Sequence, residues 1–182
     1  LARVLGLQEA PLPVAWFSVE DSRRAASLLP PDRPVVVLAP TANWAPKVWP
    51  AERFVALFQR LTETCIPGAV PAVIAGPGET EAAMAKPVLQ ALPNAIDLVD
   101  RLSLPEIAAF LSRASLFVGN DSGLMHFAAA AGAPTLGLFG PTNAVEYGPA
   151  GRRRSVVTGT DTQMTSISVN AAVEAAARLL AA

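Results

Sequence analysis

Cysteine is nearly absent from this chain of 182 residues, since Cys65 is the only one. An internal disulfide and a thiolate metal cluster are therefore excluded. A predominant charge is missing too: 14 Lys and Arg against 15 Asp and Glu give a formal net charge of -1, so we expect no nucleic-acid partner. No apolar run approaches the roughly 20 residues of a membrane-spanning helix. No signal peptide is visible either.

Two common nucleotide-binding motifs are also missing. The chain has no G-x-G-x-x-G run and no G-x-x-x-x-G-K-[ST] run, so neither nicotinamide nor P-loop chemistry is supported. His126 is the only histidine, and a single histidine does not make a metal site without partners. We therefore expect no metal and no cofactor.

What is present is enough apolar material for one full core, because 52% of the residues are hydrophobic. The first part of the chain is different: it begins at Leu1, is rich in proline and is weakly patterned. We expect residues 1–33 to form an interdomain linker with a short helix from Val19 to Leu29. Residues 34–182 are expected to form one domain, and the sequence to be part of a longer protein.

From residue 35 onward, β-prone runs alternate with helical ones. Predicted strands are Val35 to Ala39, Val70 to Ala75, Ala95 to Val99, Leu116 to Val118, Pro134 to Phe139 and Ser155 to Thr158. Predicted helices are Pro50 to Leu61, Glu79 to Leu92 with an interruption near Pro87, Ser103 to Arg113, Gly123 to Ala131 and Val169 to Leu180. This alternation predicts an α/β fold, a Rossmann-like, doubly wound parallel sheet.

Unusual polar residues follow the ends of the predicted strands, where such a sheet binds ligands. The loops are Pro40 to Pro50, Gly76 to Glu81, Asp100 to Ser103, Asn120 to Gly123 and Gly140 to Thr142. In the fourth loop a strand, a tight polar turn and a helix start follow one another, which is the arrangement of an anion site. Gly123 lets the backbone approach a ligand, Asp121 or Ser122 is able to cap the helix, and Asp121 is a spare carboxylate for sugar hydroxyls.

Several of these residues also have a purely structural interpretation. Lys47 stands between Trp44 and Trp49, which we expect to hold its stem so that its ammonium suits a pyrophosphate; the alternative is an ordinary surface lysine. Glu79 or Glu81 is either a carboxylate of a first helical turn or a ligand of a ribose diol. His126 is otherwise a packed helical residue. The run from Arg152 to Arg154 is expected to be a solvated strand entry.

Taken together, these loops resemble the glycosyltransferases of family 9, which include the ADP-heptose:lipopolysaccharide heptosyltransferases. The matching stretches are Lys47-Val-Trp-Pro50, Ala75-Gly-Pro-Gly-Glu79, Leu102-Ser-Leu-Pro-Glu106, Asn120-Asp-Ser-Gly-Leu-Met-His126, Leu138-Phe-Gly-Pro-Thr142 and Gln163-Met-Thr-Ser-Ile-Ser-Val169. The resemblance implies the C-terminal, donor-binding half of a two-domain GT-B enzyme, without its N-terminal acceptor domain.

The resemblance also implies roles for individual residues. Lys47 and the backbone at Ser122 and Gly123 would hold the diphosphate of a nucleoside diphosphate sugar, with ADP-heptose as the expected donor. Asp121 would bind hydroxyls of the donor sugar. The other implied contacts are Glu79 to the ribose, Leu102 against the base, His126 bracing the turn or reaching a phosphate, and Thr41 and Asn43 near the phosphates. Leu124, next to the fourth loop, and Gly140, in the fifth, are further implied substrate-binding residues. Asn43 departs from the Thr or Ser that is usual in the family.

The implied reaction is an inverting transfer without an obligatory metal to a lipopolysaccharide core acceptor, in which Lys47 and Asp121 are the catalytic residues. The general base is expected in the absent domain, so the isolated fragment is expected to be inactive. The resemblance implies a cytoplasmic location, peripheral at the inner membrane. Two alternatives stay open, a non-catalytic nucleotide-binding or interaction module and an epimerase-type sugar-nucleotide enzyme.

Overall fold

The computed structural model describes residues 11–181 together with Val4 and Gly6. Its described part contains one six-stranded sheet in the order β3-β2-β1-β4-β5-β6. The strands are β1 (Val35–Ala39), β2 (Val70–Val73), β3 (Ile96–Asp97), β4 (Leu116–Asn120), β5 (Thr135–Phe139) and β6 (Arg154–Thr158). All five strand pairs are parallel. The predicted doubly wound α/β fold is therefore confirmed, with the strand order reversing between β1 and β4.

Helices cover both faces of this sheet. They are α1 (Val19–Leu28), α2 (Ala51–Thr64), α3 (Glu79–Ala91), α4 (Leu104–Leu111), α5 (Gly123–Ala130), α6 (Ala144–Tyr147) and α7 (Val169–Ala181), with 3-10 turns at Ala45–Lys47 and Met164–Ser166. Apolar residues of α2, α3 and α7 form one buried cluster on the sheet. Those of α1, α4 and α5 form the other. β1, β4 and β5 are buried throughout, as the continuous apolar runs predict.

The start of α4 shows how local sequence sets a boundary. The Glu106 carboxylate accepts hydrogen bonds from the backbone N–H of Ser103 at 2.8 Å and from its hydroxyl at 2.7 Å. This is a capping box, which satisfies donors that the first turn leaves free. The backbone bond first, and then the hydroxyl bond, hold the pKa of Glu106 below its ordinary value.

Two local predictions are wrong. The helix from Glu79 is not interrupted near Pro87, because it continues to Ala91. Pro87 and Ala83, whose carbonyl loses its partner, are both exposed, so water can satisfy that carbonyl. The third strand is shorter than predicted, since it ends at Asp97. There the Asp97 side chain accepts the Val99 N–H at 3.1 Å and turns the chain out of the sheet.

The N-terminal segment packs on the sheet domain over its described part. Ala25 of α1 is fully buried, the Arg113 guanidinium donates to the Ser22 hydroxyl at 2.9 Å, and the Ala15 N–H donates to the Ala130 carbonyl at 2.9 Å. The division of the chain at residues 33 and 34 stays a prediction. Among the described residues, no helix combines the length and the apolar character that crossing a membrane requires.

Candidate functional site

The loops that follow β1 and β4 face each other at the switch point of the sheet. The two strands are neighbours, and Ala39 pairs with Gly119 at their carboxyl ends. Doubly wound sheets bind ligands at this edge, in the crevice where the strand order reverses. The β1 loop and the β4 loop, which together carry most of the predicted site residues, therefore meet at this edge of the sheet.

An ion pair between Lys47 and Asp121 lies at the centre of this edge. Lys47 ends the 3-10 turn in the β1 loop, and its Nζ donates to Asp121 Oδ2 at 2.7 Å. The side chains of Lys47 and Asp121 are only 20% and 7% exposed. A short, charge-assisted bond in so enclosed a place is stronger than an ion pair in open solvent. Two residues that the sequence predicts separately are thus direct partners.

Thr142 brings the loop after β5 to the same carboxylate. Its Oγ1 donates to Asp121 Oδ2 at 2.7 Å. One oxygen of Asp121 is thus held by donors from two other loops. Asp121 Oδ1 has no hydrogen bond to any residue that the structure describes. The carboxylate is therefore fixed in orientation and keeps one oxygen available.

The first turn of α5 leaves donors open beside this pair. Ser122 is the N-cap residue, but its side chain makes no capping bond, and its Oγ is buried without a partner among the described residues. Met125 N–H donates to the Ser122 carbonyl at 3.2 Å, whereas the N–H groups of Gly123 and Leu124 find no acceptor in the described part of the chain. The prediction that Asp121 or Ser122 caps this helix is wrong, because Lys47 and Thr142 engage the carboxylate and Ser122 Oγ bonds none of the amides.

Two glycines of the predicted site differ in what surrounds them. A Cβ on Gly123 would meet nothing within 4 Å, so open space lies beside the first residue of α5. A Cβ on Gly140 would lie 2.8 Å from the backbone nitrogen of Met164 and 2.9 Å from its Sδ. Gly140 is therefore needed for packing against the Met164–Ser166 turn, whatever else it does.

A second polar group joins the loops after β1 and β2. The hydroxyl of Thr41, which is fully buried, donates to Glu81 Oε2 at 2.6 Å, and the Gly76 N–H donates to the same oxygen at 2.7 Å. A Cβ on Gly76 would lie 2.6 Å from that oxygen, so only glycine admits this contact. Of the two acidic candidates in the β2 loop, Glu81 is held in the network, while Glu79 is exposed.

Asn120, at the end of β4, ties the β1 loop to this strand and was not predicted as a site residue. It is fully buried. Its Nδ2 donates to the Thr41 carbonyl at 3.3 Å, and its Oδ1 accepts the Trp49 N–H at 3.1 Å. Trp49 is also fully buried, and its indole N–H donates to the Ile167 carbonyl at 3.1 Å.

The expectation that Trp44 and Trp49 together hold the Lys47 stem stays a prediction. Half of the Trp44 surface is exposed, whereas Trp49 packs edge-on against Phe54 with 5.1 Å between the ring centroids. What holds the Lys47 ammonium is its bond to Asp121.

The remaining predicted residues are not part of these hydrogen-bonded contacts. Asn43, Glu79 and His126 are exposed and make no hydrogen bond to the described residues through their side chains. The exposure of His126 speaks against the packed-residue interpretation. Leu102 and Leu124 are partly buried against the cluster that α1, α4 and α5 form. Among the described residues, no three His, Cys, Asp or Glu side chains are grouped as a metal site would need.

The chemistry of this edge is that of an anion and hydroxyl site. One ammonium, two free helix amides and open space above Gly123 suit a phosphate group. A fixed carboxylate and buried hydroxyls stand next to them. Together with the strand order, this defines a Rossmann-like domain with a site suited to an anionic ligand that carries hydroxyls.

Solved structures support that fold. The glycosyltransferase family 9 structure from Veillonella parvula matches with a TM-score of 0.84 over 98% of this chain and 57% of that one, at 22% identity. The Escherichia coli heptosyltransferase WaaC with ADP matches with a TM-score of 0.72 over 95% of this chain and 52% of that one, at 23% identity. At these identities the likeness shows the fold alone.

The sequence matches the model of glycosyltransferase family 9 (heptosyltransferase) over residues 1–175. The chain belongs to this family. It is 34% identical to the lipopolysaccharide heptosyltransferase 1 of Pseudomonas aeruginosa over 142 residues, which are 78% of this chain and 39% of the relative. The chain spans between 33% and 46% of the length of the curated relatives it matches.

Proposed function

We propose that this chain is the donor-binding half of an inverting heptosyltransferase. It would bind a nucleoside diphosphate sugar, ADP-heptose, whose heptose passes to a lipopolysaccharide core acceptor held by another domain. The observation that carries the proposal is the Lys47–Asp121 pair beside the open amides of α5 at the switch point. Family membership and a relative solved with ADP support it. The enzyme would work in the cytoplasm, at the inner membrane face.

The diphosphate has a natural position in this arrangement. Its oxygens would accept the N–H groups of Gly123 and Leu124, where the helix dipole also favours negative charge. Lys47 would turn from Asp121 toward the same phosphates as a point charge. The exposed His126 lies on α5 and would reach a phosphate from its first turns.

Asp121 would take the hydroxyls of the sugar. Its Oδ2 is oriented by Thr142 even when Lys47 leaves, and its Oδ1 is available for a hydroxyl donor. For the ribose, the contacts favour Glu81 over Glu79, because Thr41 and Gly76 fix one Glu81 oxygen and leave the other for the diol. Leu102 follows β3 on the side of Glu81 in the strand order, where the base would lie.

In the proposed reaction, negative charge develops next to the positive groups of this site. An acceptor hydroxyl attacks the anomeric carbon, the bond to the diphosphate oxygen breaks, and negative charge grows on the leaving nucleoside diphosphate. Lys47 and the α5 amides would stabilise that charge, which is the electrostatic contribution that dominates many enzymes. The proton of the acceptor must go to a base outside this chain. We therefore expect this chain to bind donor without turnover.

Isothermal titration calorimetry with ADP and ADP-heptose tests the proposal. Titrations with UDP and GDP show whether the site prefers adenine. We expect ADP to bind with millimolar affinity or better. Lys47→Met should weaken ADP about tenfold or more, the usual loss of a charge-assisted hydrogen bond. Lys86→Met is the matched control, because Lys86 is the other lysine and is exposed on α3.

Asp121→Asn separates the sugar from the nucleotide. It should weaken ADP-heptose and leave ADP unchanged or slightly tighter, since Lys47 no longer has a competing partner. Because Lys47→Met alone leaves the Asp121 charge unpaired, the double variant Lys47→Met with Asp121→Asn checks that folding is preserved. If no nucleotide binds to the folded wild-type chain, the proposal fails and the non-catalytic interaction module takes its place.

A further inference from the structure

The side chain of Asn120 is buried and uncharged, and both of its polar atoms make a hydrogen bond. Asn120 is the last residue of β4, with its side chain shielded from solvent. Its two hydrogen bonds go to the backbone of another segment, at Trp49 N–H (3.1 Å) and the Thr41 carbonyl (3.3 Å). A buried amide that lacks partners is costly, so these two bonds fix how the two segments lie against each other.

The two backbone groups that Asn120 holds stand at the two ends of the segment that carries Lys47. Between them the chain is weakly held, because residues 43–46 are exposed. Inside the segment only two short turn bonds occur among the backbone groups, from Lys47 N–H to the Trp44 carbonyl and from Val48 N–H to the Ala45 carbonyl. The amide of Asn120 therefore closes the loop at its base.

The position of the Lys47 backbone matters because a lysine side chain is long and flexible. An ammonium on a four-carbon stem is held in one place only if its Cα is held first. The neighbouring residue of Asn120, Asp121, is the partner of that ammonium. At the end of β4, Asn120 thus fixes the base of the loop, and the next residue, Asp121, binds the ammonium that the loop carries.

We propose that Asn120 is a positioning residue for Lys47. It holds the Thr41–Trp49 segment against the end of β4, so that the ammonium is presented to the phosphates of the donor at the start of α5. This role rests on the proposed function. It requires no contact between Asn120 and the ligand, because Asn120 acts through the loop.

A double-mutant cycle on ADP affinity tests this inference, using Asn120→Ala, Lys47→Met and the double variant. We expect Asn120→Ala to weaken ADP binding by about fivefold when Lys47 is present, the scale of one lost hydrogen bond. In the Lys47→Met background the same substitution should change the affinity little. Amide exchange of Trp49, followed by NMR, should accelerate in Asn120→Ala, because its N–H loses its acceptor.

The matched control for general destabilisation is Thr135→Val. Thr135 is fully buried and donates to the Ala133 carbonyl at 2.9 Å, at the opposite end of the sheet. It should lower the thermal midpoint without changing ADP affinity. If Asn120→Ala does not fold, Asn120→Ser keeps a polar group in the same place and enters the same cycle.

The outcomes separate the two proposals. If Lys47→Met leaves ADP affinity unchanged in the folded protein, the proposed function loses its cation and both ideas fail. If Lys47→Met weakens binding but Asn120→Ala weakens it equally in both backgrounds, only the positioning role is refuted. The same holds if Thr135→Val weakens ADP binding as much as Asn120→Ala does.

Discussion

Replacing Gly123 with alanine should stabilise the fold and weaken donor binding at the same time. Gly123 is the first residue of α5. Its φ lies outside the left-handed region, and an added Cβ meets nothing within 4 Å. Nothing in the fold therefore requires glycine there. If glycine matters, the reason must be a ligand that occupies the open space.

The two effects can be estimated separately. Gly→Ala at a compatible position stabilises a protein by about 0.4–1 kcal/mol, mainly by restricting the unfolded chain. For a chain of this size that corresponds to a rise of about 1–4 °C in the thermal midpoint. On the proposed function, we expect a phosphate bound at the Gly123 N–H to extend into the space that the new methyl group would take. Losing one charge-assisted bond costs about 1.5–3 kcal/mol, or a factor of about ten or more in affinity.

Differential scanning calorimetry with and without ADP measures both effects in one experiment. The variant should melt higher than the wild type without ADP, and ADP should raise its midpoint less. A Gly123→Ala protein that is stabilised and still binds ADP with wild-type affinity would refute the placement of the phosphate at this helix start. A variant that melts lower would refute the claim that the site above Gly123 is open.

Two further predictions concern stability. Gly140→Ala should lower the thermal midpoint by several degrees, because the added Cβ would press on the Met164 backbone at 2.8 Å and such overpacking costs about 1–3 kcal/mol; an unchanged midpoint would contradict it. Glu106→Ala should lower the midpoint at neutral pH, and its difference from wild type should fade in acid. The pKa of Glu106 is lowered in the folded chain, so its contribution is present above the ordinary carboxyl pKa and is lost as the pH falls through the folded one. A difference that persists in acid would show that the capping box acts through packing instead.

Much of the fold was predictable because each strand and helix has its own sequence pattern. Val35–Ala39 is continuously apolar and begins with three β-branched valines, and the structure buries it completely. Where prediction failed, the cause was local to one residue. The Asp97 side chain ends β3 by taking the Val99 N–H. Pro87 is tolerated in α3 because it stands on the exposed face.

The site was predictable as a set of loops but not as a set of contacts. The rule that ligands bind at strand ends selected loops that the structure brings together at one edge of the sheet. It did not show that Lys47 reaches Asp121, because that contact depends on the register of β1 against β4. It also did not distinguish Glu79 from Glu81 as the candidate ribose ligand, since only the fold shows that Gly76 makes room for the Glu81 carboxylate.

Asn120 escaped prediction for a related reason. An asparagine that precedes a polar turn is typical of turn chemistry, and nothing in its own segment points to a partner. Its partners, Thr41 and Trp49, lie far away in sequence. A residue whose role is to join two segments becomes visible only when the order of the strands is known.

The buried polar contacts follow that order along the edge of the sheet. Glu81 joins the β2 loop to Thr41 of the β1 loop, Asn120 joins the β1 loop to β4, and Thr142 joins the β5 loop to Asp121. Each contact links neighbouring strands, so the four loops are fixed to one another before any ligand binds. A donor that binds here need not bring these loops together, so the entropy of joining them is not subtracted from its affinity. On the proposed function, the half that carries the acceptor therefore meets a donor site whose loops are already joined.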